Sequence, residues 1–326
     1  MESEKAKLWG VTPEKAWREL FEFDTEEFVT RTAEKIKAGI ANRGHRGAVF
    51  GASGGIDSMV SAALCLRAKA DKKEWRVVGL QMIDRRIKGE TYNPELFERL
   101  GAELIIQDIT REAIDTEKVL GMPPRWLTSV FIKAALSCLP GPALERLILA
   151  VKAGTAPRQV LRHFHLLLHL HGIRISRLRK FADLNHLMPV ICANLTESLL
   201  GYFVEGGIDD PEMGECAPVS DLYKSQVIAV ARYLRIPEKV IVQRPSPGFG
   251  GIHDEDIIGP YEIVDRVLSG ISAGFSNREI ARAIWRFYHP ARHGAPLRAG
   301  REYTVRYIKF VRNLMESSLK KARGRE

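Results

Sequence analysis

The stretch Val49-Phe50-Gly51-Ala52-Ser53-Gly54-Gly55-Ile56-Asp57-Ser58-Met59-Val60 decides how this chain is read. Small and apolar residues lead into it, as at the end of a buried strand. Ser53 to Ser58 make a turn, and Met59 to Lys69, rich in Ala and Leu, reads as a helix. Two adjacent glycines let a backbone approach a ligand, because no Cβ stands in the way. The helix behind them aims free N–H groups and the positive end of its dipole at the same place. Together these make an anion site, above all for phosphate. The ordinary phosphate loop has Lys before its closing Ser or Thr, whereas Asp57 stands before Ser58 here. A carboxylate beside a phosphate repels it unless a cation lies between them, so Asp57 implies a bridging Mg2+. The bland alternative is a tight strand-to-helix turn with a capping serine.

The composition suits a globular protein: 326 residues, 45% hydrophobic and 27% charged. No run approaches the length of a membrane span, and Met1-Glu2-Ser3-Glu4-Lys5 is too charged for a secretory signal. The expectation is therefore a cytoplasmic protein with no membrane partner. The four cysteines, Cys65, Cys138, Cys192 and Cys216, form no CxxC pair, so neither a zinc site nor a redox dithiol is expected. The net charge of +9 gathers between Lys152 and Lys180 and from Arg278 onward. It fits an anionic small substrate, nucleic acid or a solvated basic face.

Outward from the loop, residues 1–45 read as helices started by Thr12-Pro13-Glu14 and by Asp24-Thr25-Glu26-Glu27, packed outside the core or on a second subunit. Ala48–Phe50, Trp75–Met82 and Glu103–Ile109 read as strands with helices between them. That pattern gives βαβ units and an α/β, doubly wound parallel sheet. Ligands in such sheets sit beyond the carboxyl ends of the strands. This places Ser53–Ser58, Met82–Arg86 and Asp108–Thr110 on one rim. Residues 111–171 are too long for a plain connection and read as a helical insertion or lid. His165 and His169, one turn apart within it, admit a metal site, but their apolar neighbours favour a partly buried helix.

A basic helix over Gly172–Asn185 follows, then a fourth strand over Leu187–Cys192 and a polar turn, Ala193 to Glu197, on the same rim. Helix is expected onward through Phe203, and again from Val219, with Lys224 in its first turn. Gln243–Ile252 reads as an irregular loop with His253–Asp256 as its acidic tip. The tail from Arg278 reads as basic helix, interrupted at His289–Gly294. The expected division is a helical extension over 1–45, an α/β domain over 46–270 and a helical segment over 271–326.

Ser53-Gly54-Gly55-Ile56-Asp57-Ser58 resembles the pyrophosphate loop of the ATP pyrophosphatases, which split ATP to AMP and pyrophosphate to activate a carbonyl or carboxyl. Further segments follow it in order: Met82-Ile83-Asp84-Arg85, Asn194 to Phe203, Asp221 to Gln226, Arg232 to Glu238, Pro245 to Gly248, and Asp254-Glu255-Asp256 with Gly259. Over about residues 20–109 and 172–295 the chain is similar to ammonia-dependent NAD synthetase. The resemblance implies a Rossmann-like fold of the adenine nucleotide alpha hydrolase type. It implies an enzyme that uses ATP and Mg2+ to adenylate the carboxylate of deamido-NAD and then amidates it with ammonia.

By that resemblance Gly51, Ser53, Gly54, Gly55 and Ser58 cradle phosphates. Met82, Arg174 and Thr196 lie near ATP. Asp57 and Glu197 hold the metal, and Lys224 joins Asp57 in the chemistry. Asn194, Asp254 and Glu255 face the dinucleotide. The family also implies a homodimer, with ammonia free or supplied by a separate glutaminase, since no nitrilase-like domain is read here; nucleic acid is not expected as a partner. The chain departs from the family at Ile191-Cys192-Ala193-Asn194-Leu195-Thr196-Glu197, where Gly-Thr-Gly-Asn-Lys-Ser-Glu is usual. The expectation is an intact ATP half and an altered acceptor half. The alternatives are a relative that adenylates another carboxylate or an RNA base, and a non-catalytic nucleotide-binding module.

Overall fold

The computed structural model describes residues 12–87, 94–123, 138–139, 141–202, 204–245, 253–288 and 304–323. Residues 1–11, the middle of the expected insertion (124–137), Phe203, the Ser246–Ile252 loop and the tail interruption lie outside that set.

Four parallel strands form one sheet in the order β3-β2-β1-β4: β1 (Gly47–Gly51), β2 (Arg76–Ile83), β3 (Glu103–Asp108) and β4 (Met188–Val190). Ala48, Val49 and Phe50 of the central strand are wholly buried. Helices cover both faces, and strands in that setting read as unbroken apolar runs rather than alternating ones. Val49 belongs to a layer with Val78, Leu80, Ile175 and Leu178. Phe50 faces the other way, with its ring 5.8 Å from that of Phe97.

Helices α1 (Pro13–Phe21) and α2 (Thr25–Asn42) begin where the sequence places them, with the Thr12 and Asp24 side chains accepting backbone N–H bonds at 3.4 Å and 2.9 Å. Their position differs from the expectation. α2 buries Phe28, Val29, Ala33, Ile36 and Ile40 in the main core, and α1 buries Trp17 in a second cluster. Each large apolar side chain so covered contributes about 1.5–3 kcal/mol. That holds these helices to their own chain.

The helix after the loop, α3 (Ile56–Lys69), starts three residues earlier than expected. Gly55 is its N-cap in extended backbone, so Ile56, Asp57 and Ser58 occupy its first turn. Then come α4 (Pro94–Leu100), α5 (Thr110–Val119), α6 (Gly141–Lys152) and α7 (Arg158–Asn185). α7 is one helix of 28 residues that passes through Gly172, where a separate basic helix was expected to begin. His165 and His169 lie exposed on its outer half, while Ile175 and Leu178 of its inner half lie in the apolar layer against the sheet.

Beyond β4 run α8 (Leu195–Leu200), α9 (Lys224–Tyr233), α10 (Glu238–Ile241), α11 (Asp254–Ile258), α12 (Tyr261–Ser272), α13 (Asn277–Tyr288) and α14 (Val305–Arg323). α8 stops at Gly201, which has a left-handed φ of 58°, short of the helix expected onward from there. α9 begins only at Lys224, five residues after the expected Val219. Of the acidic tip expected at His253–Asp256, Asp254–Asp256 form the first turn of α11, and Asp254 is buried. The second cluster joins Trp17 of α1 to α12, α13 and α14, and the Tyr307 hydroxyl donates to the Ile258 carbonyl at 2.5 Å.

Candidate active site

The rim at the carboxyl ends of β1 and β4 collects the expected residues. After β1 the chain turns at Gly54, whose φ of 79° only glycine adopts freely. The Ser53 hydroxyl oxygen accepts the Gly55 N–H at 3.2 Å, and the Ser58 hydroxyl donates to the Gly55 carbonyl at 2.8 Å. These bonds hold the turn open-faced, with the first amides of α3 directed into it. Gly51 has its own packing reason: a Cβ there would stand 2.8 Å from Ile208 Cδ1, so the close approach is made by a side chain of this chain.

From β4 the chain runs through Ile191, Cys192 and Ala193 to Asn194, the N-cap of α8. Asn194 accepts the Glu197 N–H at 3.0 Å and donates its side-chain amide to Asp57 Oδ1, also at 3.0 Å. A helix cap therefore fixes the residue on β1's helix to the residue on β4's helix. Asp57 and Glu197 face one cation. The Lys224 ammonium is bonded to Asp57 Oδ2 and lies 3.7 Å from Glu197 Oε1. Lys224 is only 3% exposed and sits 5.3 Å from the Tyr261 ring centroid.

Burial pulls the Lys224 ammonium downward, but Asp57 and Glu197 outweigh it and hold the amine protonated. Burial pushes the Glu197 carboxyl up, and the charge of Asp57 adds to that, against the pull of Lys224. Two half-buried carboxyl groups thus converge on one ammonium. A hard divalent cation takes carboxylate oxygens together with phosphate oxygens. The donor set of Asp57 and Glu197 fits Mg2+ in that manner. Among the described residues no cluster of three or more His, Cys, Asp or Glu forms a metal cage.

Behind Lys224 lies a third carboxylate. Asp265 on α12 is fully buried, accepts the Thr196 hydroxyl at 2.5 Å, and takes the Ser225 amide and hydroxyl at 2.7 and 2.6 Å. The Thr196 oxygen in turn accepts the Lys224 N–H at 2.9 Å. Asp265 therefore ties α8 and the start of α9 into one piece. Asp254 accepts the Tyr202 and Tyr261 hydroxyls at 3.3 and 3.1 Å, and burial raises its pKa. Glu255 turns away toward Arg244 (3.4 Å) and the Tyr261 N–H (3.3 Å). Met82 is buried in the apolar layer of β2, and Arg174 is half-buried on α7 between Ile173 and Ile175. The basic loop after β2 is largely neutralised, Arg86 by Asp84 and Glu117 and Arg85 by Asp108.

Sequence reasoning missed three features. Asp265 bonds to groups 40 and 69 positions away, and no local pattern signals that. Gln81 is 3% exposed on β2, with neither side-chain amide atom paired; a lone amide inside an apolar strand was the available signal. Ile191 does not crowd the ligand side. It lies in the apolar layer, and Gly214 makes room for it, since a Cβ there would come within 2.5 Å of Ile191 Cγ1.

A family model described as NAD synthase matches residues 28–119 and 172–285. An NH3-dependent NAD synthetase of Thermotoga maritima is 30% identical over 243 residues, which span 72% of this chain and 83% of that protein. Among solved structures, an NH3-dependent NAD synthetase from Campylobacter jejuni superposes with a TM-score of 0.54 at 21% identity, covering 92% of this chain and 97% of that one. An NMN synthetase from Francisella tularensis superposes with a TM-score of 0.56 at 20% identity, covering 84% and 96%. At such identities the structural likenesses speak for the fold.

Proposed function

The chain belongs to the NAD synthase family, and from that premise we propose ATP-dependent amidation of deamido-NAD to NAD, with ammonia as the nitrogen donor. It is a ligase forming a C–N bond, with AMP and pyrophosphate released. The observation that carries the reading is the meeting of Asp57, Glu197 and Lys224 at one point on the rim, from three helices that start at or near the strand ends.

A carboxylate accepts an amine only after one of its oxygens becomes a leaving group. Transfer of AMP onto that oxygen achieves this, and pyrophosphate departs. The amides of Gly54 and the first turn of α3 hold the departing pyrophosphate, with the Ser53–Gly55 bond and Ser58 shaping the turn. Lys224, kept protonated by its two carboxylates, offsets charge as the phosphorus adds its fifth oxygen. Asp57 and Glu197 would hold Mg2+, which screens the phosphates from these same carboxylates. Thr196, fixed by Asp265, keeps the start of α9 in register with α8. Asn194 and Asp254 border the acceptor side. The reading takes the chain as a cytoplasmic homodimer with the three-part division drawn from the sequence. No described helix is long and apolar enough to cross a membrane.

The test supplies ATP, Mg2+, ammonium and deamido-NAD and follows AMP and NAD. One NAD per AMP is expected. Chelation of the metal or Asp57→Asn should abolish both products. AMP formed only with RNA, or neither product under any of these conditions, would overturn the assignment.

A further inference from the structure

We propose that Lys152, with Ser318 beside it, is a positioning residue for the reaction: together they clamp the far end of the helix that carries Glu197. This rests on the function read above. α8 has six residues, and the Gly201 and Tyr202 N–H groups close its Ser198 and Glu197 carbonyls. Two further donors reach its last turn from outside. The Lys152 ammonium, at the end of α6, donates to the Leu200 carbonyl, and the Ser318 hydroxyl of α14 donates to the Ser198 carbonyl at 3.0 Å. A cation suits the negative end of a helix.

Gly201 shows how closely the two groups converge. A Cβ there would lie 2.6 Å from Lys152 Nζ and 2.9 Å from Ser318 Oγ. The clamp is also braced behind. Glu145 of α6 is buried and accepts both Arg306 Nε and Nη2 of α14 at 3.0 Å, so α6 and α14 meet α8 as a joined pair. The opposite end of α8 carries Asn194 and Glu197, which meet Asp57 and Lys224. Movement of so short a helix at one end moves the carboxylate at the other. Lys152 and Ser318 both lie outside the ranges matched by the family model, 28–119 and 172–285. The clamp is thus what the additional segments contribute to a site they do not line.

The variant Lys152→Met keeps most of the stem and removes the ammonium. Hydrogen exchange by mass spectrometry over Leu195–Tyr202 should quicken about tenfold, while peptides from β1 to β3 stay as they were. In the same preparation kcat should fall about tenfold, with KM for ATP and deamido-NAD within about twofold, because misplacing Glu197 is felt when charge develops. Lys152→Arg should restore both readouts. If Lys152→Met does not fold, Ser318→Ala carries the comparison, with a change of about threefold expected.

Unchanged exchange at α8, faster exchange throughout the sheet, or a raised KM with kcat intact would each overturn the positioning role. A wild-type protein that makes no NAD would overturn the function reading, and the exchange measurement would still decide the clamp.

Discussion

Asp265→Asn should flatten the dependence of stability on pH. The Asp265 carboxyl is fully buried, and burial raises its pKa to about 6 while its bonds from Ser225 and Thr196 pull the other way. In an unfolded chain the value is about 3.9. For an acid raised on folding, the contribution to stability is full below the unfolded value and is lost as pH rises through the folded one. A shift of about two units corresponds to about 3 kcal/mol in all. By the same linkage, about 1.4 kcal/mol of it disappears between about pH 5 and about pH 7.5. Asn does not titrate, so the variant should lack that loss. The measurement is urea unfolding of both proteins across this interval at constant ionic strength, taken as the difference between them. The difference isolates this residue, because the other acids titrate alike in both, and the constant offset from the altered Thr196 bond drops out. Parallel curves, or a steeper one for the variant, would refute the assignment of a charged, poorly solvated Asp265 behind Lys224.

Lys224→Met should reduce AMP formation by about 10²–10³-fold, read in a pyrophosphate-release assay with circular dichroism as the control for folding; retention of activity within about tenfold would remove Lys224 from the chemistry. Gly214 has φ −110° and ψ 174°, which any residue adopts, so Gly214→Ala should be costly through packing alone. Its Cβ would meet Ile191 Cγ1, and overpacking of this kind costs about 1–3 kcal/mol. Ile191→Ala alone should cost about 2–5 kcal/mol through the cavity left behind. The double variant should be more stable than the sum by about 1 kcal/mol or more, and additivity in chemical denaturation would show that the two do not share that space.

The loop and the sheet were legible because their signals are local. Adjacent glycines, an acid before a serine and an apolar run each state their chemistry within a few residues. The helix starts at Thr12 and Asp24 were legible in the same way, since a side-chain oxygen three residues ahead of an amide is a short-range pattern. The rest depends on contacts the sequence does not mark. Gly172 suggested a break in α7, but a glycine costs a helix only about 1 kcal/mol, and the packing of Ile175 and Leu178 outweighs it. Ile191 stands out in the sequence only as a departure from the family pattern, because nothing local marks that Gly214, 23 positions on, leaves it room in the apolar layer. The burial of Asp254 is not marked in the sequence, because Tyr202 and Tyr261, which enclose it, lie elsewhere in the chain.

α7 has a mechanical consequence. At 28 residues it is a rod of about 42 Å, running without interruption from the unmatched segment to the underside of the sheet. The added portion is therefore not a detachable ornament. Excising it would truncate a beam that also supports the strands, so any graft or deletion meant to convert this chain to the shorter family outline must cut at a helix turn and supply a new end cap there.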